Sequence, residues 1–280
     1  MKPYINPKTR VMKVVRSLTA PMRVMPNFLF IGGNRCGTTT LYRHLCDHPC
    51  VAPSVRSEVL FFDLKFAKGL GWYKTHFPTV IYKHWTQLRT RRFLTGEGTT
   101  YYMFHPRAPQ RIRETLPEVK LIILLRNPVD RAYSQYHQKI RRGRETLSFE
   151  DAVEAEPRRL EGELEKMLAD ANYISVHHRD HSYLARGVYI SQLSHWMTLF
   201  PKEQMLILRS EDLRVRPADL FKQALRFLEL PIWEPPAYDN YNFATYCQME
   251  SRTRKRLIDY FNPHNQRLYE FLGRDFGWDR

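Results

Sequence analysis

The chain is predicted to fold as a single α/β domain, with a central parallel sheet flanked by helices. Two observations predict it. Short uninterrupted apolar runs alternate with longer amphipathic segments, as expected when parallel strands are buried on both faces and joined by crossover helices. No linker, repeat or low-complexity tract divides the 280 residues, a length suited to one domain with a sizeable core.

Strands are expected at residues 28–31, 93–96, 121–125 and 205–208, each an apolar run of strand length. Helices are expected at 39–47, 106–116, 128–140, 149–169, 190–200, 217–228 and 251–272. Pro128 suits the first turn of its helix, where no N–H is required. The stretch 141–145, with Gly143, and the stretch 173–186 read as exposed loops. Residues 1–25 read as a basic, solvated leader preceding a domain at 26–280. A short basic amphipathic helix from Val11 to Met25, touching a membrane or partner, is the less favoured alternative.

Composition narrows the function. Lys and Arg number 44 against 29 Asp and Glu, a net charge of +15. That excess attracts anions: nucleotides, acidic glycans, nucleic acid or acidic membrane. No RNA-binding or zinc-finger pattern is present, so nucleic acid is not the expected partner. No apolar run approaches the roughly 20 residues of a bilayer span, and the leader lacks the apolar centre of a secretory signal. A soluble cytoplasmic protein is therefore expected, with a trimmed luminal domain as second choice. Cys36, Cys46, Cys50 and Cys247 fit no zinc spacing and read as reduced structural thiols. His177, His178 and His181 lie without a carboxylate or cysteine cluster, so no metal is expected.

The most informative stretch joins the first apolar run to the first helix: Gly32-Gly33-Asn34-Arg35-Cys36-Gly37-Thr38-Thr39-Thr40. Strand, glycine-bearing turn and helix N-terminus together make a phosphate cradle, because backbone N–H groups converge there. Gly32 and Gly37 have the spacing of the G-x-x-x-x-G-K-[ST] loop, but Thr38 stands at the lysine position and the cation, Arg35, lies inside the loop. The loop is P-loop-like and suited to a different phosphate ester. A second polar turn follows the run 121–125: Arg126-Asn127-Pro128. Ligands in open α/β sheets collect at the carboxyl ends of strands, which places Arg126 at a ligand edge. Ser134, two turns along the helix, suits the same anion. Two cradles on neighbouring strands imply a ligand with two separated phosphates.

These residues resemble the sulfotransferases that use 3′-phosphoadenosine 5′-phosphosulfate (PAPS), most of all the Golgi heparan sulfate type and its bacterial relatives. Gly33 to Thr40 resembles the motif that holds the 5′-phosphosulfate; Arg126 and Ser134 resemble the pair that holds the 3′-phosphate. The likeness continues through Glu58-Val59-Leu60-Phe61-Phe62-Asp63, Lys68 to Tyr73 with Phe77-Pro78, Thr95-Gly96-Glu97, Gly187-Val188-Tyr189 through Trp196, Glu211-Asp212-Leu213 and Tyr260 to Asn265. Two departures stand out. The family usually has lysine at the Arg35 position, and no lysine-glycine-arginine loop precedes the last helix, where Arg252, Arg254, Lys255 or Arg256 is left to supply that charge.

The resemblance implies sulfuryl transfer from PAPS to a hydroxyl or amine of a carbohydrate or small molecule, leaving 3′-phosphoadenosine 5′-phosphate and needing no metal. It points to Glu58 as the base; Glu97, at the end of a short strand, is the alternative, and His76 a weaker one. Gly33, Asn34, Arg35, Cys36, Gly37, Thr38, Thr39, Thr40, Arg126 and Ser134 are the expected donor-binding set. Phe243, Tyr246 or Trp233 is expected against the adenine. The alternatives are a P-loop kinase or nucleotide hydrolase, which would place lysine at position 38, and a non-catalytic polyanion binder, which rests on charge alone.

Overall fold

Five strands pair in parallel in the order β2-β3-β1-β4-β5: β1 Phe28–Phe30, β2 Val51–Pro53, β3 Leu94–Glu97, β4 Lys120–Leu125 and β5 Met205–Arg209. The computed structural model describes residues 7–239 and 246–279, with side chains from residue 11 onward. Its α-helices are α1 Pro7–Leu18, α2 Thr38–Asp47, α3 Gly69–Lys74, α4 Val80–Thr90, α5 Ala108–Thr115, α6 Pro128–Arg141, α7 Phe149–Leu160, α8 Glu163–Ala169, α9 Val176–Asp180, α10 Tyr189–Leu199, α11 Asp212–Val215, α12 Pro217–Phe227 and α13 Ser251–Leu272. The expected architecture is present.

Side-chain alternation along the strands divides the core into two layers. On β4, Leu121, Ile123 and Leu125 join β1 residue Leu29 and helices α5, α10 and α13 on one face. Ile122 and Leu124 join Phe28, Phe30 and helices α2 and α12 on the other. All of these strand side chains are fully buried, which is why the sequence shows continuous rather than alternating apolar runs. Val129 and Ala132 of α6, Phe149 of α7 and Phe261 of α13 close a third cluster.

The chain passes from β3 on one side of β1 to β4 on the other, so the loops after β1 and β4 diverge. That divergence opens a crevice at the carboxyl ends of the two strands. Asn127 caps α6 there: its side-chain oxygen accepts from the N–H groups of Val129 and Asp130, with Pro128 in the first turn.

Three expectations change. The helix expected at 149–169 is two helices, because Gly162 adopts a left-handed φ of 69° between them. Residues 173–186, read as an exposed loop, are largely buried and contain α9. Their polar groups are paired: Asp180 meets Lys139 at 2.7 Å and also Arg144 and Arg179, and His178 meets the Tyr101 hydroxyl at 2.8 Å. Residues 7–18, read as part of a solvated leader, are helical. Arg16 and Arg23 tie this segment to the carbonyls of Thr75 and Phe77.

Candidate active site

The loop after β1 is shaped by close backbone approach. A Cβ at Gly32 would lie 2.5 Å from Ile123 Cγ2 on β4, and one at Gly33 would lie 2.3 Å from the Leu124 carbonyl oxygen. Gly33 and Gly37 have φ of 38° and 82°, and Arg35 shares this left-handed region at 69°. A non-glycine residue held there is strained and clusters at functional sites. Gly37 is the N-cap of α2. The first N–H groups of α2, those of Thr38 and Thr39, have no intrahelical acceptor and, with the helix dipole, favour an anion.

The loops after β1 and β4 are joined through Arg35. Its Nε donates to Ser134 Oγ at 3.0 Å, while Arg126 Nη1 donates to the Arg35 carbonyl at 3.2 Å. Burial, reinforced by Arg141, Arg126 and Arg142 nearby, lowers the Arg35 pKa; a guanidinium remains charged nonetheless.

A cleft of about 430 Å³ opens over these groups, lined by Asn34, Arg35, Gly37, Thr38, Thr39 and Thr40 from the first loop and by Arg126 from the second. The side-chain oxygen of Asn34 is buried there without a hydrogen-bond partner. Across the cleft stand Glu58 and Thr100. Glu58 is exposed at this concavity, yet desolvation by the surrounding protein raises its pKa, while Arg142 and Lys139 pull the other way. The donor set suits a ligand bearing two phosphates: cations on both loops, helix N–H groups and threonine hydroxyls all belong to one cleft.

Not every expected residue faces the cleft. The Cys36 thiol is fully buried, lies 3.9 Å from the Tyr189 hydroxyl, and has its pKa pushed up to about 11 by burial. Its N–H donates to the Gly33 carbonyl, so Cys36 shapes the turn rather than meeting a ligand. Ser134 is sealed behind the Arg35 side chain at 2% exposure.

Glu97 is a correction. It is fully buried and accepts four hydrogen bonds: from Thr99 Oγ1 at 2.6 Å, Tyr102 Oη at 2.7 Å, Val59 N at 3.3 Å and Tyr73 Oη at 3.4 Å. A carboxylate so enclosed is not accessible to an acceptor. It instead anchors the residue next to Glu58. Leu60 N donates to Thr99 Oγ1 and Phe61 N to Tyr102 Oη, so one buried cluster fixes the backbone that presents Glu58.

His76 is also structural, buried against Trp72 with its ring nitrogen at the Trp72 and Tyr73 carbonyls. Trp233 packs against His48 and Phe221, away from the cleft. Tyr246 stacks on His137 with ring centroids 4.5 Å apart, and it influences Arg126. Phe243 lies outside the described residues. Among the described residues, no group of three or more His, Cys, Asp and Glu could hold a metal ion.

Several residues that line the cleft lie outside the expected donor-binding set, although Arg142 belongs to a basic cluster, Lys139 to Arg144, that the sequence offers as a possible groove for an acidic glycan. Arg43 lies one turn beyond Thr39 on α2, and Arg142 lies just past α6. Ser210 and Arg214 flank the Glu211 block that follows β5. The signal for Ser210 and Glu211 was available, since they follow a third strand at the same sheet edge. Asn127 N donates to Glu211 Oε1 at 2.8 Å. A second basic cluster in the sequence, Arg89, Arg91 and Arg92, precedes β3 and so lies at the opposite end of the sheet. Arg254 pairs with Asp130 at 2.8 Å and Arg256 with Glu154 at 3.1 Å.

The profile of the sulfotransferase domain family matches residues 25–266. The chain belongs to this family of enzymes. Relatives include the membrane-associated sulfotransferase kil1 of Dictyostelium discoideum, 28% identical over 91% of this chain and 66% of that protein. They also include the mouse heparan sulfate glucosamine 3-O-sulfotransferase 3B1, 29% identical over 93% of this chain and 66% of that one. The bifunctional heparan sulfate N-deacetylase/N-sulfotransferase of Drosophila melanogaster is 28% identical over 93% of this chain and 27% of its own length. The chain thus spans just under two thirds of the first two and about a quarter of the third. The crystal structure of a sulfotransferase from Alicyclobacillus acidocaldarius superposes with a TM-score of 0.68 at 27% identity, over 92% of this chain and all of that one.

These relatives overturn the expected cytoplasmic location, since they include an enzyme named as membrane-associated. No helix among the described residues is long and apolar enough to cross a membrane, and that fact does not assign a compartment.

Proposed function

We propose that the chain moves the sulfuryl group of PAPS to a hydroxyl or amine of a carbohydrate acceptor, with Glu58 as the base. The observation that carries this reading is the joining of two anion cradles through Arg35, on adjacent strands, under a cleft whose opposite wall bears the accessible carboxylate Glu58. Family membership supports the donor, and relatives named as heparan sulfate enzymes support an acidic glycan acceptor.

The donor supplies an activated sulfuryl group. Glu58 withdraws the acceptor proton as the new S–O or S–N bond forms. Arg35, with the N–H groups of Thr38 and Thr39, stabilises the charge that collects on the departing 5′-phosphate as its bond to sulfur breaks. Arg126 holds the 3′-phosphate. Arg142 and Arg43 add positive charge at the rim, where a sulfated or carboxylated sugar gains most. Sulfuryl transfer resembles phosphoryl transfer in needing chiefly positioning and electrostatic stabilisation.

The test is incubation with labelled PAPS and a panel of glycans, alcohols and amines, with products identified by mass spectrometry. A sulfated glycan is expected. Transfer to small alcohols alone would sink the carbohydrate assignment, and donor binding without transfer to any acceptor would sink the catalytic one.

A further inference from the structure

We infer that α1 and α4 form a basic, apolar-faced surface that lies on an anionic lipid bilayer. Val11, Val14, Val15 and Leu18 recur on α1 at i, i+3, i+4 and i+7, the spacing of an apolar stripe that normally faces a core. Here the stripe faces solvent: the four side chains are 46–78% exposed. The helix is docked by its other side, through Arg16 to the Thr75 and Phe77 carbonyls.

The same inversion holds on α4. Ile81, Trp85 and Leu88, at i, i+4 and i+7, are 67%, 49% and 85% exposed, while Thr86 is the buried residue of that helix. The segment that follows α1 meets the residues that open α4. Arg23, just past α1, bridges to Thr79, the N-cap of α4, and Val24 N donates to the Pro78 carbonyl at 3.0 Å. Two helices therefore present apolar stripes that no other described residue covers, although exposed apolar surface of this extent marks an interaction site.

Charge decides what covers them. Asp47 is the first acidic residue of the chain, and none lies between Asp63 and Glu97, where seven Lys and Arg stand. These two acid-free tracts build α1, α3 and α4, in a chain with 29 acidic residues elsewhere. Lys13 is exposed on the same helix as the first stripe; Arg89 lies over the Trp85 ring at 3.8 Å beside the second. Apolar stripes on helices that carry cations and no acids, with an amphipathic tryptophan under Arg89, match a bilayer interface carrying negative headgroups.

The full chain should float with vesicles of phosphatidylcholine containing about a third phosphatidylserine and be released by high salt. Leu18→Glu with Trp85→Glu should weaken that binding by about tenfold or more, while affinity for 3′-phosphoadenosine 5′-phosphate, proposed to lie in a cleft that neither residue lines, stays unchanged. That unchanged affinity reports folding independently of the proposed donor chemistry; where neither protein binds the bisphosphate, the thermal midpoint serves instead. Should the double variant lose its fold, Lys13→Glu with Arg91→Glu provides the same comparison. Vesicle binding equal to wild type in the folded variants overturns the inference. So does a wild type that ignores anionic vesicles, including one that forms a dimer dissolved by Trp85→Glu, which assigns the surface to a second copy.

Discussion

Removing the Glu97 carboxylate should loosen the scaffold that presents Glu58. Glu97→Ala strands four donors in a fully buried site: Thr99 and Tyr102 with short bonds, Val59 N and Tyr73 with longer ones. An unsatisfied buried donor costs about 1–3 kcal/mol. The two strong bonds dominate, and the small cavity adds roughly 1 kcal/mol. The expected loss is about 3–5 kcal/mol, a fall in thermal midpoint of roughly 6–15 °C for a domain of this size. Turnover should fall as well, because Val59, Leu60 and Phe61 are held by the same cluster, whereas donor affinity should not.

The pH dependence carries a sign that separates this account from simple packing. Burial pushes the Glu97 pKa up from 4.5 to about 7, so the folded chain binds this proton more tightly than the unfolded chain. Its contribution to stability is then fully present below about pH 4.5 and declines as pH rises through 7. Glu97→Gln keeps the volume, removes the ionisation and should flatten that decline. Scanning calorimetry on both variants between pH 5 and 8, about the titration range, reads the effect. A Glu97→Ala midpoint within about 1 °C of wild type, or an undiminished pH slope in Glu97→Gln, refutes the reasoning.

Three other perturbations test the cleft. Glu58→Gln should lower kcat by about 10²–10⁴ with donor affinity retained, and it should abolish the rise in rate as pH climbs through the elevated Glu58 pKa; a steady-state pH profile decides, and unchanged turnover removes Glu58 as base. Arg126→Ala should weaken 3′-phosphoadenosine 5′-phosphate by about 10–100-fold and barely affect adenosine 5′-phosphate, as measured by calorimetric titration. Equal losses would reassign Arg126. Arg35→Ala should slow transfer by about 10²–10³, and single-turnover kinetics with excess enzyme isolates that step from product release; an unaltered rate moves the leaving-group role to the helix N–H groups.

Much of this arrangement was legible in the sequence because its signals are local. Four strands announced themselves as apolar runs, and the turns after β1 and β4 carried their own glycine, proline and arginine. β2 did not: Val51–Pro53 is three residues long, ends in proline and sits at the sheet edge. α3 hides behind Gly69 and Gly71, residues that argue against a helix.

The segment 173–186 was misread because its composition is polar, and its burial depends on partners remote in sequence, such as Lys139 for Asp180 and Glu156 for the backbone of Tyr183. Glu97 was misjudged for the same reason. Whether a carboxylate is a base or an anchor depends on which hydroxyls surround it, and those of Tyr73 and Tyr102 come from another helix and another turn.

The thiols of this chain offer a practical handle. Burial silences Cys36 within the phosphate loop, Cys46 is held near a pKa of about 12, and Cys50 is enclosed, whereas Cys247 is exposed and adjoins Tyr246. A thiol-reactive dye therefore attaches first at position 247, next to an aromatic group that senses Arg126. The unmodified enzyme thus arrives with an attachment point for a fluorescent reporter of ligand occupancy in the proposed donor cleft, and no cysteine has to be engineered in or out.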